Sequence, residues 1–371
     1  MYKSLRTNLP RHTMEFPDFP MPEEVSSFPT ANCFFKYIQT FADRFGLRKH
    51  VKLNHEVTSV KRETESWKVQ YRQRNDTELK EQEYDYILVC NGHNFEPNWP
   101  DNINDVHNNF SGIITHSHDY REPGIFKDKK VLIIGAGPSA IDIGVEVAYV
   151  ASRLIHSHHR KAFTSPFPRH YIQKPDVKVF LNNSVVFADG TNEDVDVIIY
   201  CTGYQYYYPF LDNSAELHLP LSHVSPLYRN TVNINQPSML LFGLGVHGVV
   251  TFAIHVQARY AASLIMGNFT LPSKKKMMEE WQTKVDDINR SRRHLKVIHD
   301  LSPKEMEYYD SMTEEAGLAQ VPRVMVRIGH VATSAKLKNW YTFRLYHYRI
   351  KNDTIFTVEY RPGDEICDLD I

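Results

Sequence analysis

The sequence predicts an α/β protein with two dinucleotide-binding, Rossmann-like domains, and two observations lead to this fold class. The stretch KKVLIIGAGPSAIDI (residues 129–143) joins an apolar run to a glycine-rich turn and then to a helical pattern. The stretches YDYILVCNGH (84–93) and VDVIIYCTGY (195–204) repeat the same Asp, Ile, Cys and Gly positions at a constant spacing. Two similar strand ends imply two similar domains.

The glycine loop belongs to the second of these domains. Gly203 follows Gly135 by 68 residues (203 minus 135), but the same distance counted back from Gly92 reaches Glu24, where there is no glycine loop. We therefore expect the loop of the first domain to lie before Met1 or to be absent. The predicted divisions are an incomplete first domain, an inserted nucleotide-binding domain, and a return to the first domain with a helical and irregular end, over residues 1–119, 120–213 and 214–371.

The elements before the glycine loop follow from prolines and from hydrophobic periodicity. A proline-rich opening predicts an extended loop, because proline removes a backbone donor and disfavours a helix just before it. The stretch CFFKYIQTFADRFGL (33–47) has apolar residues at helical spacing. The alternating runs HEVTSVKRE (55–63) and SWKVQYRQR (66–74) predict antiparallel strands that return to a buried strand at YDYILVC.

After the glycine loop, the pattern alternates between strand and helix. A helix follows the loop, and SRLIHSHHR (152–160) predicts the second strand of a βαβ unit. Residues 177–192 read as a hairpin, MLLFGLG (239–245) as a strand, and TFAIHVQARYAASLIMGN (251–268) as a long helix. Residues 273–371 include helical stretches such as KMMEEWQTKVDDINR, but no chemistry is predicted there.

Composition argues against several classes of function. The chain has 371 residues and 43 Lys and Arg against 44 Asp and Glu, so its net charge of -1 gives no reason to expect a nucleic-acid partner. Four cysteines that form no CxxC pair argue against a zinc ribbon or dithiol centre and indicate a reduced, cytoplasmic chain: Cys33, Cys90, Cys201 and Cys367. No signal peptide or membrane anchor is predicted.

The glycine loop predicts a nucleotide site. Gly135 and Gly137 allow a tight turn and a close approach to a pyrophosphate, and the helix that starts near Ser139 points its N-terminal amides at that charge. An NAD site would place an acidic residue after the second strand, but this chain has Arg160 and Lys161 there. We therefore expect NADP(H), with Arg160 as the main contact to the 2′-phosphate. The alternatives are an ordinary strand–helix turn and a solvated strand end.

Histidines near the loop raise a metal site as another alternative. His116 and His118 form one group, and His156, His158 and His159 form another. Neither group is accompanied by a cluster of carboxylates or thiols, so no metal site is predicted.

Four residues before the glycine loop carry a family resemblance. Phe110, Gly112, His116 and Tyr120 in FSGIITHSHDY fit the pattern Phe-x-Gly-x-x-x-His-x-x-x-Tyr or Phe. With this motif the chain resembles the flavin-containing monooxygenases, and the resemblance extends over about residues 1–270.

The resemblance implies FAD and NADP(H) as cofactors and assigns their site. Thr7 and Asn8 match a Thr-Asn pair that meets flavin and nicotinamide in the family, which makes Asn8 the predicted catalytic residue. Loop and resemblance together give the predicted cofactor-binding set: Thr7, Asn8, Leu9, Gly135, Gly137, Ser139, Ala140, Ile141, Asp142, Arg160, Thr202 and Gly203.

The chain also departs from the family pattern. Phe252 and His255 stand where Pro and Glu are common, and the family's first strand with its GxGxxG loop for FAD has no counterpart before Thr7. Both departures bear on whether flavin is retained.

The resemblance implies a monooxygenase that uses NADPH, FAD and O2 to oxygenate a nucleophilic nitrogen or sulfur of a small amine or sulfide. One alternative is a non-catalytic NADP(H)-binding form that is unable to retain FAD. Another is a flavin disulfide reductase of the same two-domain plan, against which the absence of CxxC counts. Homo-oligomerisation and peripheral association with the endoplasmic reticulum stay open.

Overall fold

The computed structural model describes residues 1–101, 103–302 and 304–362, so Cys367 lies outside the described residues. The helices are α1 (Ala31–Arg44), α2 (Ile103–Asn109), α3 (Pro138–Ala148), α4 (Val250–Ile265), α5 (Lys274–Arg290), α6 (Glu305–Glu315) and α7 (Arg323–Lys338). The strands are β1 (His55–Glu63), β2 (Ser66–Gln73), β3 (Lys80–Tyr84), β4 (Ile87–Val89), β5 (Glu96–Pro97), β6 (Ile113–His116), β7 (Lys130–Ile134), β8 (Arg153–Ser157), β9 (Tyr171–Lys174), β10 (Val177–Phe180), β11 (Ser184–Phe187), β12 (Asn192–Asp194), β13 (Val197–Tyr200), β14 (Tyr204–Gln205), β15 (Leu227–Tyr228), β16 (Val232–Asn233), β17 (Met239–Leu241), β18 (Tyr346–Ile350) and β19 (Phe356–Tyr360). Within these described ranges, no helix has both the length and the apolar character needed to cross a membrane.

A five-stranded parallel sheet contains the glycine loop. Its strand order is β6-β13-β7-β8-β9, and all four pairings are parallel. The side chains of Val131, Leu132 and Ile133 are fully buried, as expected for parallel strands that are covered on both faces. Helix α3 packs on one face, and the β10-β11-β12 sheet covers the other. The predicted Rossmann-like unit is therefore confirmed.

A second sheet, β15-β16-β17-β4, includes the other predicted strand end. Strands β17 and β4 pair in parallel, and helix α4 packs against this sheet in a large apolar core. Helices α5 and α6 add Met277, Tyr309 and Met312 to the same core. Helices α5 and α6, from the C-terminal region in which no chemistry is predicted, thus share one core with α4.

Several elements escape prediction from the sequence, among them strand β3 and the hairpin of β18 and β19. Strand β3 pairs with β2, but its five residues are all exposed and mostly charged, so no hydrophobic periodicity reveals it. The hairpin of β18 and β19 has only Tyr348 fully buried, and that residue packs against Phe28 from the N-terminal segment. Both elements are defined by pairing partners rather than by their own patterns.

The two similar strand ends meet in a short ribbon. β5 pairs with β14 in antiparallel fashion, and the Asn98 amide donates to the Gly203 carbonyl at 2.9 Å. The Thr202 hydroxyl donates to the Asn98 carbonyl at 2.5 Å. This ribbon connects the end of β4 to the end of β13, next to the glycine loop.

Candidate cofactor site

Gly135 is required by the backbone around it. Its φ is +123°, and an added Cβ would lie 2.3 Å from the Cys201 carbonyl oxygen. The Gly135 amide donates to the Ser157 carbonyl at 3.0 Å, so the loop is fixed to the end of β8 on one side and to the end of β13 on the other. Only glycine satisfies both the conformation and this close approach.

Gly137 differs because its surroundings are open. It is the N-cap of α3, with φ −85°, and no described atom beyond its chain neighbours lies within 4 Å of the position that a Cβ would take. The amides of Ser139 and Ala140 follow in the first turn, where a helix supplies no acceptor. This arrangement fits the pyrophosphate of a dinucleotide, which needs free amides and space beside the loop.

The predicted residues that follow on α3 play different parts. The Ile141 amide donates to the Gly137 carbonyl at 3.2 Å, and its side chain is buried in the core, so Ile141 packs the helix onto the sheet. The Asp142 carboxylate is bonded to Arg344 at 2.9 Å and accepts from the Tyr2 hydroxyl at 3.0 Å. Asp142 therefore connects α3 to other parts of the chain.

His156 forms a hydrogen bond to the backbone of the glycine loop. Its Nε2 lies 2.5 Å from the Gly135 carbonyl and its Nδ1 lies 2.5 Å from the Tyr171 hydroxyl. A carbonyl can only accept, so Nε2 carries the proton and Nδ1 accepts from Tyr171. Burial lowers the pKa of His156 to about 4, which keeps the ring neutral. Its role is positioning, and among the described residues no group of three His, Cys, Asp or Glu could hold a metal ion.

The end of β8 presents cations beside the loop. β7 and β8 are parallel neighbours, so their carboxyl ends meet at one edge of the sheet. Arg160 and Lys161 are exposed just beyond this edge, whereas His158 is buried. Arg160 is therefore placed where a 2′-phosphate of NADP(H) is expected.

Thr202 and Gly203 lie at the same edge, in the ribbon described above. The Thr202 hydroxyl is engaged by Asn98, which leaves Gly203 as the open position. Gly203 has φ +83°, and an added Cβ there would meet no atom of the described residues within 4 Å beyond its chain neighbours. Thr202 shapes the ribbon and Gly203 leaves room beside it.

The four signature residues pack β6 onto the sheet. A Cβ on Gly112 would lie 2.4 Å from the Asp196 carbonyl oxygen and 2.5 Å from the Phe110 ring, which explains the glycine. His116 is fully buried, and burial lowers its pKa to about 4. The Tyr120 hydroxyl donates to Glu146 on α3 at 2.6 Å. The signature residues therefore have a structural role beside the nucleotide site, where they connect β6 to the sheet and to α3.

The segment with Thr7, Asn8 and Leu9 is partly buried, and Arg344, which lines a large cavity, bonds to its backbone. The Thr7 amide donates to the Pro29 carbonyl at 3.0 Å, and its carbonyl accepts from Arg344 at 3.1 Å. The Thr7 hydroxyl oxygen is buried and has no hydrogen-bond partner in the described part of the chain. Such an atom is costly unless an ordered water molecule or a ligand satisfies it.

The cavity has a volume of about 850 Å³. His12 Nδ1 and Tyr348 Oη, from two of its lining residues, are also buried without a partner among the described residues. Cationic side chains predominate in the lining, although three glutamates join them: Arg11, Arg344, Arg349, Lys351 and Arg361 with Glu15, Glu23 and Glu24. Its size, its charge and its unsatisfied polar atoms fit a large anionic cofactor such as FAD.

Comparison with known proteins decides the family. The family model "FMO-like: Flavin-binding monooxygenase-like" matches residues 1–164 and 170–350. The chain belongs to this family. Its members bind FAD and depend on NADPH, so the predicted resemblance and cofactors are confirmed.

Relatives of this flavin monooxygenase include oxygenases of nitrogen and of sulfur. Senecionine N-oxygenase from Tyria jacobaeae is 34% identical over 100% of this chain and 82% of its own length. The structure of S-allyl-L-cysteine S-oxygenase from Allium sativum has a TM-score of 0.86 and 29% identity, and covers 93% of this chain and 80% of its own. Tmm from Pelagibacter, at 21% identity and a TM-score of 0.82 over 98% and 82% of the chains, shows the same fold. The two-domain α/β fold class is confirmed.

The structure thus groups most of the predicted residues and adds two that sequence reasoning misses. Gly135, Gly137, Gly203 and Arg160 share one sheet edge, and Thr7 is joined to α3 through Arg344. The sequence suggests His156 only as a metal ligand, and Arg344 lies in a stretch without a motif. No local signal identifies either residue, because their partners are distant in sequence.

Proposed function

We propose that this flavin monooxygenase uses NADPH, FAD and O2 to oxygenate a nucleophilic nitrogen or sulfur atom of a small molecule. One observation carries the proposal. The open space at Gly137 and the amides of Ser139 and Ala140, which together form an amide cradle, lie beside the cations at the end of β8. The relatives named above, an N-oxygenase and an S-oxygenase, support this substrate class.

Each site residue has a defined task in the proposal. The amides of Ser139 and Ala140 bind the pyrophosphate of NADPH, and Arg160 binds its 2′-phosphate. The cavity lined by Arg11 and Arg344 holds FAD, with Thr7 and Leu9 as further contacts, and Asn8 orients the reacting edges of the two cofactors. When bound, the flavin accepts hydride from NADPH and activates O2, while the protein supplies binding, orientation and exclusion of water.

The domain divisions at residues 119 and 213 belong to the proposal as well. On this division, residues 120–213 bind NADP(H), and residues 1–119 with 214–371 surround FAD. A non-catalytic NADP(H)-binding form finds no support among the relatives, because those named are oxygenases.

The test is oxygen incorporation with simple probes. The purified chain is supplied with FAD, NADPH and ¹⁸O2, and with N,N-dimethylaniline or thioanisole as amine and sulfide. We expect the N-oxide or sulfoxide to carry one ¹⁸O atom, while the second oxygen atom leaves as water and NADPH becomes NADP⁺. Unlabelled product would contradict the proposal. NADPH binding without FAD retention would favour the non-catalytic form.

A further inference from the structure

Arg344 contacts two separate segments of the predicted cofactor site. Its Nη2 lies 2.9 Å from Asp142 Oδ2 on α3, and its Nε donates to the Thr7 carbonyl at 3.1 Å. Asp142 and Thr7 are 135 residues apart (142 minus 7), and Arg344 comes 202 residues after Asp142. One guanidinium therefore joins helix α3, which carries the predicted NADP(H) contacts, to the segment that the family resemblance places at flavin and nicotinamide.

The surroundings fix this guanidinium in place. The side chains of Arg344 and Asp142 are only 21% and 13% exposed, so solvent screens their ion pair less than it screens a surface pair. The guanidinium stacks over the Phe343 ring at 4.5 Å, and the Tyr2 hydroxyl donates to the same carboxylate oxygen as Arg344. The planar fork of arginine can serve both partners at once, which the single ammonium of lysine cannot do with the same geometry.

The contacts of Arg344 with Asp142 and with Thr7 form a bridge, and the position of Asp142 explains how this bridge affects the cofactor site. Asp142 lies within one turn of Ser139 and Ala140, whose amides face the pyrophosphate, and a helix is rigid over one turn. Asn8 follows directly after the Thr7 carbonyl that Arg344 holds. Any shift of Arg344 would therefore move Asn8 relative to the amide cradle.

We propose that Arg344 is a positioning residue that sets the Thr7–Asn8 segment relative to α3, and thereby sets the nicotinamide relative to the flavin. This inference rests on the proposed function. It assigns Arg344 no contact with the reacting atoms. Its effect is on the rate of hydride transfer, because a small misplacement of reacting groups slows a reaction far more than it weakens binding.

The test compares Arg344→Lys with a matched variant elsewhere. Arg323 pairs with Asp310 at 2.9 Å between α7 and α6, so Arg323→Lys makes the same chemical change to an ion pair away from the cavity. Burial lowers the pKa of Lys336, which lies near Asp142 and supplies a second cation there. We therefore expect Arg344→Lys to fold, and thermal unfolding of both variants checks this.

Three measurements separate placement from binding and from folding. They are the dissociation constant of NADPH from its fluorescence, the retention of FAD after desalting, and the anaerobic rate at which NADPH, oxidised to NADP⁺, gives a hydride to the bound flavin. For Arg344→Lys we expect a rate about tenfold lower or more, with the dissociation constant changed less than about twofold. Arg323→Lys should match the wild type. Asp142→Asn should resemble Arg344→Lys, and the double variant should be no slower than either single variant.

The outcomes distinguish this inference from the proposed function. If the wild type transfers hydride and Arg344→Lys does so at the same rate, the positioning role of Arg344 is wrong and the proposed function stands. A rate that falls only in proportion to lost NADPH binding or lost folding would also overturn the positioning role. If the wild type itself transfers no hydride to FAD, the proposed function fails and the inference fails with it.

Discussion

At the residue scale, the site depends on side chains that form hydrogen bonds to backbone carbonyls. His156 bonds the Gly135 carbonyl, and Arg344 bonds the Thr7 carbonyl. Glycines could be predicted because their spacing reflects a local turn. The two side chains that bond these carbonyls, His156 and Arg344, could not be predicted. Their partners come close to them only in the folded chain. Tyr171, which orients His156, lies on the neighbouring strand β9.

Replacing Arg160 should change the choice of cofactor. We expect Arg160→Glu to weaken NADPH binding by about tenfold or more, because it removes a charge-assisted bond to the 2′-phosphate and adds a like charge. NADH binding should change little. Arg169→Glu is the matched control, since Arg169 is an exposed arginine on the same connection between β8 and β9. Dissociation constants by fluorescence titration check this, and equal losses for both cofactors would contradict it.

Replacing His156 should loosen the glycine loop. In His156→Phe the Gly135 carbonyl loses its donor, so we expect a loss of about 1–3 kcal/mol in unfolding free energy and weaker NADPH binding. His170→Phe is the control, because His170 Nε2 also bonds a backbone carbonyl, that of Ala148, at 2.6 Å. The control should lose stability without losing affinity. Denaturant unfolding and titration measure the two effects, and unchanged affinity in His156→Phe would count against a loop-positioning role.

At the scale of elements, one strand–turn–helix unit forms the nucleotide cradle. β7, the turn and α3 could be predicted together because a buried apolar strand, glycines and a helical period adjoin in the sequence. Strand β3 and the β18–β19 hairpin could not, because few of their residues are buried. Such elements are selected by backbone pairing, for which the sequence carries little pattern.

The open space at Gly137 allows a sharp test of this unit. Gly137 has φ −85°, which alanine adopts freely, and an added methyl group meets no described atom within 4 Å beyond its chain neighbours. Gly137→Ala should therefore fold normally but obstruct the pyrophosphate, which raises the NADPH dissociation constant about tenfold or more. Gly124→Ala, at another open glycine, should change nothing. Normal affinity in Gly137→Ala would show that no ligand occupies this space.

At the scale of the whole molecule, the fold buries several histidines that stay neutral. Burial lowers the pKa of His12, His116 and His156 to about 4, and that of His299 to about 3. The overall fold was predictable because buried strands recur along the chain as apolar runs. The contacts of Arg344 with Thr7 and Asp142 were not, because they join segments that are far apart in the sequence.

These histidines predict how stability depends on pH. Their pKa values in the folded state lie below the ordinary value of about 6.5, so the unfolded state binds more protons as pH falls. The free energy of unfolding should therefore fall as pH drops from about 6.5 towards 4, by up to about 1.4 kcal/mol per pH unit for each such histidine. Denaturant unfolding at several pH values measures the slope. His116→Gln should reduce it, and a stability that stays level down to pH 4 would contradict the prediction.

The central claim is that this chain binds FAD and NADPH so that hydride passes from NADPH to the flavin. An absorbance spectrum tests this claim most directly. The purified chain is mixed with excess FAD, desalted, and then given NADPH first without air and afterwards with it. We predict a retained flavin band that bleaches with NADPH and recovers in oxygen. A chain that binds NADPH but retains no flavin band would contradict this claim.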